Sequence, residues 1–314
     1  MPWDNHVKRR LKLRDLDVLM TVVAAGGMGK AAKQLNVSQP AISKAIADLE
    51  QTLGVRLVDR SRRGVEPTPY GLALIKRGTA VFDELRQSVN DIEHLADPTT
   101  GELRIGVVEG IASAIVAPLI ERLSRKYPRL TFSVEVAGTT KLCADLSKRS
   151  IELAIAKTAG ELPEDQQGET LFNDPLVVAS GASNPLTRRR SMTLADLIDE
   201  PWSLEPPDTF FGGLCAMAFS GVGLQLPKAT IMTNSRHFQN ALVETGRFLM
   251  FQGAFVMSLP RKLRTLKTLP VSLPHTAVPV QIITPRYRTL SPLAQLFIEQ
   301  VREVCRPLAK ANRR

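Results

Sequence analysis

The chain has 314 residues, room for two domains and at most three. With 44% hydrophobic and 23% charged residues it has the composition of an ordinary globular protein, which excludes a collagen, a disordered chain and a small disulfide scaffold. The formal charge of +10 points to an anionic partner, either nucleic acid or an acidic ligand.

That charge is unevenly placed. Residues 1–78 hold 14 Lys+Arg against 7 Asp+Glu, residues 79–96 hold 1 against 4, and the remainder 26 against 20. A small basic module joined to a larger, nearly balanced one is the electrostatic outline of a nucleic-acid reader with a control domain. The first predicted helix runs from Leu13 to Ala25, with Leu16, Leu19, Met20 and Val23 on one face and Gly26-Gly27 as its stop. A short second helix, Gly29 to Leu35, turns Ala31, Ala32 and Leu35 inward. Ser38 then suits an N-cap, and Pro40 falls in the first turn, where its missing N–H is harmless. The third helix continues to Leu53 and stops at Gly54. Ile42, Ile46, Leu49 and Leu53 make its buried stripe, and Gln39, Pro40, Ser43, Lys44 and Ala47 its other side. Three helices with a tight turn between the last two form a helix-turn-helix, which docks its final helix by the N-terminal residues in the major groove. Val55 to Pro69 reads as a two-stranded wing. Its tip, Arg60-Ser61-Arg62-Arg63-Gly64, carries three arginines suited to phosphate or minor-groove contact.

The segment AAKQLNVSQPAISKAIADLEQTLGVRLVDRSRRGVEPTPYG closely resembles the DNA-binding domain of LysR-type transcriptional regulators, and SQPAISxxIxxLExxLGxxLxxR is its specific core. The resemblance implies a winged helix-turn-helix that reads an imperfect inverted repeat in double-stranded DNA as a dimer. It carries base and backbone contacts onto Gln39, Pro40, Ala41, Ser43 and Lys44, and onto Arg62 or Arg63 of the wing. Ser38 joins this set as a cap at the phosphate-facing end of the helix. One departure stands out: where the family has Ser, an apolar residue and Thr, this chain has Gly27, Met28 and Gly29. A hydroxyl cap is lost, and no DNA contact is expected there.

From Pro69-Tyr70-Gly71 a long helix runs to Leu95. Leu74, Gly78, Val81, Leu85, Ser88, Ile92 and Leu95 recur by fours and threes, a heptad seam. The seam calls for a partner helix, and the resemblance supplies one in a second copy; packing on the chain's own control domain is the alternative. Thr99-Thr100-Gly101 reads as a hinge.

Strand and helix patterns then alternate. Leu103–Val108, Thr131–Ala137 and Ile151–Ala156 read as strands, with helices over Ala112–Tyr127 and Thr140–Arg149 between them. A second set follows from Leu171: strand Leu176–Ala179, helix Thr193–Leu197, strand Trp202–Leu204, helix Phe211–Ser220, strand Lys228–Thr233 and helix Ser235–Glu244. Strand Val278–Thr284 and helix Ser291–Ala309 close the chain. Such alternation predicts parallel sheets covered by helices. GELRIGVVEG, YPRLTFSVEVAGTT and LSKRSIELAIAK resemble the effector domain of the same regulators, which is similar to the two-lobed type 2 periplasmic-binding proteins and holds its ligand between the lobes. The expected fold class is therefore α/β overall. Residues 1–69 form an all-α winged helix-turn-helix, 70–97 a linker and dimerisation helix, and 98–314 a two-lobed effector-binding domain. Lobe I takes about 101–170 and 274–314, and lobe II about 171–273.

Ligands of open α/β sheets sit beyond the carboxyl ends of the strands. The loops there carry Glu109, Gly110 and Ile111, then Thr139 and Thr140, whose hydroxyls and helix N-terminal amides suit a carboxylate. The second lobe contributes Pro207, Arg236, His237 and Gln252 from segments that the resemblance places as cleft loops. Arg236 has the bidentate geometry for an acidic inducer. Glu109 opposes an anion and keeps a hydroxylated or amino ligand open. Organic acids and sugar-derived metabolites are the effector classes suggested by the resemblance.

The rest of the sequence offers little chemistry. HExxH, GxSxG and GxxxxGK[ST] are absent, and His6, His94, His237 and His275 lack metal-ligand spacing, so no enzyme activity, cofactor or metal is expected. Cys143, Cys215 and Cys305 form no CxxC pair, as suits a reducing cytoplasm. Cys215 has no resolving partner nearby and reads as an inert thiol. Arg188-Arg189-Arg190 reads as a solvated turn. The stretch Leu103–Ile120 carries Arg104, Glu109 and Pro118 and is no membrane span. MPWDNHVKRRLKLRDL lacks a signal-peptide core, so a cytoplasmic location is expected. The reading is a ligand-responsive transcription factor acting as a homodimer or homotetramer; the rival is a small-molecule-binding module without gene control.

Overall fold

Each helix of the N-terminal region forms where its apolar spacing and its caps agree. The computed structural model describes residues 11–61, 64–97, 100–258 and 266–311, which divide into two compact units, 1–89 and 90–314. In the first unit α1 (Leu13–Ala25) buries Leu16, Val18, Leu19 and Val22. Its buried face is thus turned toward Val18 and Val22, leaving Met20 and Val23 half-buried. α2 (Met28–Gln34) buries Met28, Ala31 and Ala32, and the two alanines let α1 and α3 approach closely. α3 (Gln39–Leu53) buries Ile42, Ile46 and Leu49. Burying each such side chain stabilises the unit by about 1.5–3 kcal/mol. Gly26 and Gly54 close α1 and α3 in the left-handed region, at φ 67° and 69°.

The wing pairs β1 (Val58–Ser61) with β2 (Gly64–Pro67), Val58 opposite Pro67. Glu50 near the end of α3 ties it down: its Oε1 accepts the N–H groups of Leu57 at 2.7 Å and Val58 at 3.2 Å. Arg62 and Arg63 lie outside the described residues. Thr68 caps α4 (Pro69–Ala96), accepting the Gly71 N–H at 3.1 Å. The expected seam of α4 divides. Leu74 packs on the core of this unit and Gly78 lies against Leu16 and Met20. Val81, Leu85, Ile92 and Leu95 are exposed.

In the second unit a five-stranded sheet has the order β4-β3-β5-β12-β6. Its strands are β3 (Thr100–Val107), β4 (Arg129–Val136), β5 (Leu153–Lys157), β6 (Gln166–Asp174) and β12 (Val278–Pro285). Within this sheet the expectation of parallel strands holds for β3, β4 and β5; β12 runs antiparallel to β5 and β6. The reason is connectivity. The chain leaves this sheet at Asp174 and returns from the other lobe at Val278, and β12 then enters in the reverse direction. β6 was not expected over its full length, since QQGETLFND has no alternation of apolar residues and occupies a sheet edge. Alternate residues of β5 serve two cores. Leu153 and Ile155 meet α5 (Ala117–Lys126) and α10 (Pro292–Ala311), while Ala154 and Ala156 meet α6 (Thr139–Ser147). The helix expected from Ala112 starts instead as a turn over Glu109–Ile111 and a π-helical stretch over Ala112–Val116. Such wide turns are often found near binding sites.

The other lobe holds an antiparallel sheet, β10-β7-β11, from β7 (Leu176–Gly181), β10 (Leu249–Gly253) and β11 (Leu266–Thr268). A short parallel pair joins β8 (Ser203–Leu204) and β9 (Ile231–Met232). Phe251-Gln252-Gly253, expected as a loop, belongs to β10, because Leu249–Gly253 is an uninterrupted buried run. The expected helix over Thr193–Leu197 is a single 3-10 turn, Ala195–Leu197. α7 (Phe210–Ser220) and α8 (Arg236–Glu244) cover the sheet, and α9 (Ala254–Ser258) follows β10. Trp202 is the centre of this core. Its ring stacks on Phe251 at 5.0 Å and meets Phe219 edge-on at 5.6 Å, and its Nε1 donates to the Leu197 carbonyl at 2.8 Å.

Candidate functional site

The first site is the opening turn of α3. Ser38 sits at the N-cap with its Oγ accepting the Ala41 N–H at 3.4 Å, which fixes where the helix begins. Ser38, Gln39, Pro40, Ala41 and Lys44 are exposed and Ser43 is half-buried, all turned away from Ile42, Ile46 and Leu49. The Gln39 side chain passes over Gly29, its Oε1 3.6 Å from where a Cβ would stand. The Gly27-Met28-Gly29 departure therefore has a packing side: Met28 is buried, and Gly29 leaves room beside Gln39. An exposed helix end with an amide, a hydroxyl and an ammonium on one face is equipped for base edges and phosphates.

The second site lies wholly within the 90–314 unit, between its two lobes. It is a cavity of about 570 Å³. Gly110, Ile111, Thr139 and Thr140 line it from the first lobe, and Arg236 and Gln252 from the second. Pro207 and His237 are exposed and do not line it; their neighbours Glu205, Asp208, Thr209, Phe210 and Phe211 do. The strand ends place these groups as expected. Thr139 opens α6 and donates its hydroxyl to the Lys157 carbonyl at 2.8 Å, and Gln252 comes from β10.

The floor of the cavity is an alternating row of charges that the sequence did not reveal. Lys157 Nζ lies 2.7 Å from Asp174 Oδ2, with both side chains nearly buried. The other Asp174 oxygen accepts the Phe255 N–H at 2.8 Å. Arg236 pairs with Glu205 at 2.5 Å and donates to the Phe251 carbonyl at 2.9 Å. Between the two pairs stands Phe211, 4.3 Å from the Arg236 guanidinium and 5.7 Å from Lys157 Nζ. Burial pushes the Glu205 carboxyl up, and Arg236 and the Thr209 hydroxyl act against that. Gly253 makes the arrangement possible, since a Cβ there would stand 2.2 Å from Asp174 Oδ2 and 2.6 Å from Lys157 Nζ. Lys157, Asp174, Glu205 and Phe211 carry no local motif; only the fold brings them together.

A second, smaller cavity of about 420 Å³ shares Thr139, Thr140 and Phe210 with the first and has Cys143 in its wall. Cys215 is buried, which pushes its thiol far above the ordinary range, and burial pushes Cys305 up to about 12. Neither thiol ionises near neutral pH. Among the described residues no group of His, Cys, Asp and Glu is placed to hold a metal ion, and no helix is long and apolar enough to cross a membrane.

Comparison with known proteins matches both halves of the chain. Residues 13–72 match the bacterial regulatory helix-turn-helix protein, lysR family, and residues 96–306 match the LysR substrate binding domain. The chain is 30% identical over 248 residues to the HTH-type transcriptional regulator GbpR of Azospirillum brasilense, covering 77% of this chain and 71% of that protein. Its fold is similar to a full-length OxyR variant from Pseudomonas aeruginosa, at TM-score 0.66 and 21% identity, over 96% of this chain and 97% of that one. It is also similar to full-length CbnR complexed with its target DNA, at TM-score 0.53 and 22% identity, over 94% and 100%. With both halves matched in order, the chain belongs to the LysR family, as a DNA-binding transcriptional regulator with a substrate-binding effector domain.

Proposed function

We propose that the chain reads an inverted repeat in promoter DNA as a homodimer or a dimer of dimers, and that a small effector held between its lobes sets how it does so. The observation that carries the reading is the opening turn of α3, where Ser38, Gln39 and Lys44 are exposed on the side opposite its buried stripe. In this reading Gln39 takes an adenine edge, Ser43 and Lys44 flank it, and the Ser38 end of the helix faces a phosphate. Arg62 or Arg63 adds a backbone contact from the wing. The exposed stripe Val81, Leu85, Ile92 and Leu95 of α4 supports pairing with a second copy. Gly110, Ile111, Thr139, Thr140, Arg236 and Gln252 surround the effector, with Pro207 and His237 at the margin. The effector acts by binding one arrangement of the lobes more tightly than another. No enzymatic step is assigned, and a DNA target supports a cytoplasmic location.

The test is a footprint on the DNA upstream of the chain's own coding region, at two salt concentrations and against random DNA. A protected inverted repeat whose preference survives higher salt is expected. Sequence-blind binding that vanishes with salt would leave the basic unit a non-specific anchor and favour a ligand-binding module without gene control. Arg63→Ala is expected to weaken binding to all sequences and to flatten the salt dependence; an unchanged slope removes Arg63 from the phosphate contacts.

A further inference from the structure

We infer that the effector carries a positively charged group, an ammonium or a guanidinium, held between Glu109 of the first lobe and Asp208 of the second. The inference rests on the reading of the interlobe cavity as the effector site and adds the charge of its ligand.

Six charged side chains line the cavity. Three are cations, and each is already neutralised. Lys141 lies 2.6 Å from Glu135 and 2.7 Å from Asp145. Lys157 is held by Asp174 at 2.7 Å and Arg236 by Glu205 at 2.5 Å. An anionic ligand that recruited Lys157 or Arg236 would strand a carboxylate that is itself nearly buried, and the desolvation of that carboxylate would oppose binding. Arg236 is further fixed by the Phe251 carbonyl and the face of Phe211. Only two lining charges remain, Glu109 and Asp208; both are exposed and have no ion-pair partner among the described residues. Both are carboxylates.

Their placement has a mechanical consequence. Glu109 stands at the start of the turn after β3, in one lobe, and Asp208 precedes α7 in the other. Both carboxylates border the same cavity, one from each lobe, so negative charge faces it from two sides. A cation that reaches both draws the two lobes toward one another. The ligand thereby favours the closer arrangement, which is the differential affinity a switch needs. The hydroxyls of Thr139 and Thr140 and the amide of Gln252 remain to fix the rest of the molecule.

The experiment measures the unfolding midpoint of the full chain with putrescine, agmatine and ethanolamine as cationic probes and with succinate and benzoate as anionic ones. Dissociation constants are taken from the concentration dependence. The amines are expected to stabilise and the carboxylates not. In Glu109→Gln/Asp208→Asn the amine affinity is expected to fall by about tenfold or more. Thr140→Trp, which fills the cavity from an exposed lining position, is expected to abolish it. Stabilisation by succinate or benzoate but not by the amines overturns the inference in favour of an anion at the start of α6, and so does stabilisation by neither class. Amine binding lost in Thr140→Trp but kept in the double variant keeps the cavity and overturns the charge. Binding kept in both variants places the amine elsewhere and removes the cavity itself as the effector site.

Discussion

The opening turn of α3 and the interlobe cavity solve recognition in opposite ways. On α3 five neighbouring side chains, Gln39, Pro40, Ala41, Ser43 and Lys44, stand on the side opposite one buried stripe, and their single charge, Lys44, has no ion-pair partner among the described residues. In the cavity, groups arrive from Val108 to Val256 along the chain, and most of the charged ones answer each other. A reader of polyanionic DNA gains by leaving its polar groups free. A pocket that must be filled and emptied, and whose walls are partly buried, has to settle its own charges first.

The contrast is sharpest at Lys157. If its pair with Asp174 is internal to the fold, Lys157→Ala leaves a buried carboxylate alone and lowers the stability of the full chain by ~3–5 kcal/mol. Denaturant unfolding followed by intrinsic fluorescence reads this; an unchanged midpoint would mean the lysine is held for the ligand and not for the fold. Gln39→Ala should do the reverse. No stability change is expected, but ~1–3 kcal/mol of preference is lost at one base pair. Equal loss on operator and random DNA would refute base reading by Gln39.

How far each region was legible follows from the same difference. The helix-turn-helix is written in adjacent residues: Ser38 caps, Pro40 fits the first turn, and Ile42, Ile46 and Leu49 set the buried face, while Leu53, the last of the expected stripe, is only half-buried at the helix end. The strand ends that carry Gly110, Thr139 and Thr140 were also readable, because β3 and β4 alternate apolar with polar residues and stop at glycine-containing loops. The partners of Arg236 were not. Glu205 and Phe211 meet it only through the packing of β8, α7 and α8, and nothing in sequence spacing foretells that. Gln252 is legible as a residue lining the cavity although its segment reads as a loop in the sequence, since it lies at the end of β10 either way.

Smaller effects refine the comparison. Ser38→Ala removes a cap whose hydrogen bond is long, 3.4 Å, so a loss of ~0.5–1 kcal/mol is expected, with DNA binding weakened no further than that loss explains. A larger drop in affinity would add a phosphate contact to the cap. Arg302→Ala probes a charge pair outside both sites. Arg302 grips Glu169 with two bonds, at 2.8 and 2.6 Å, and holds that carboxyl below its ordinary range. Both side chains are about half exposed, so only a few tenths of a kcal/mol are expected. Because the carboxyl is depressed in the folded state, that contribution is present above its ordinary pKa and fades as the pH falls through the depressed value. Parent and variant should therefore converge in acid, and a difference that persists there would assign the effect to packing of α10.

Cys143 gives the molecule a built-in reporter. It is the one cysteine of the three that is not buried, and it stands in the wall of the smaller cavity, which shares Thr139, Thr140 and Phe210 with the interlobe site. Burial and the nearby Asp165 raise its thiol above the ordinary range and slow it, but Cys215 and Cys305 are buried, so exposure alone would direct a thiol-reactive dye to Cys143. The wild-type chain would then carry a fluorophore beside the effector site with no residue replaced, and any molecule settling against α6 would register as a change in emission.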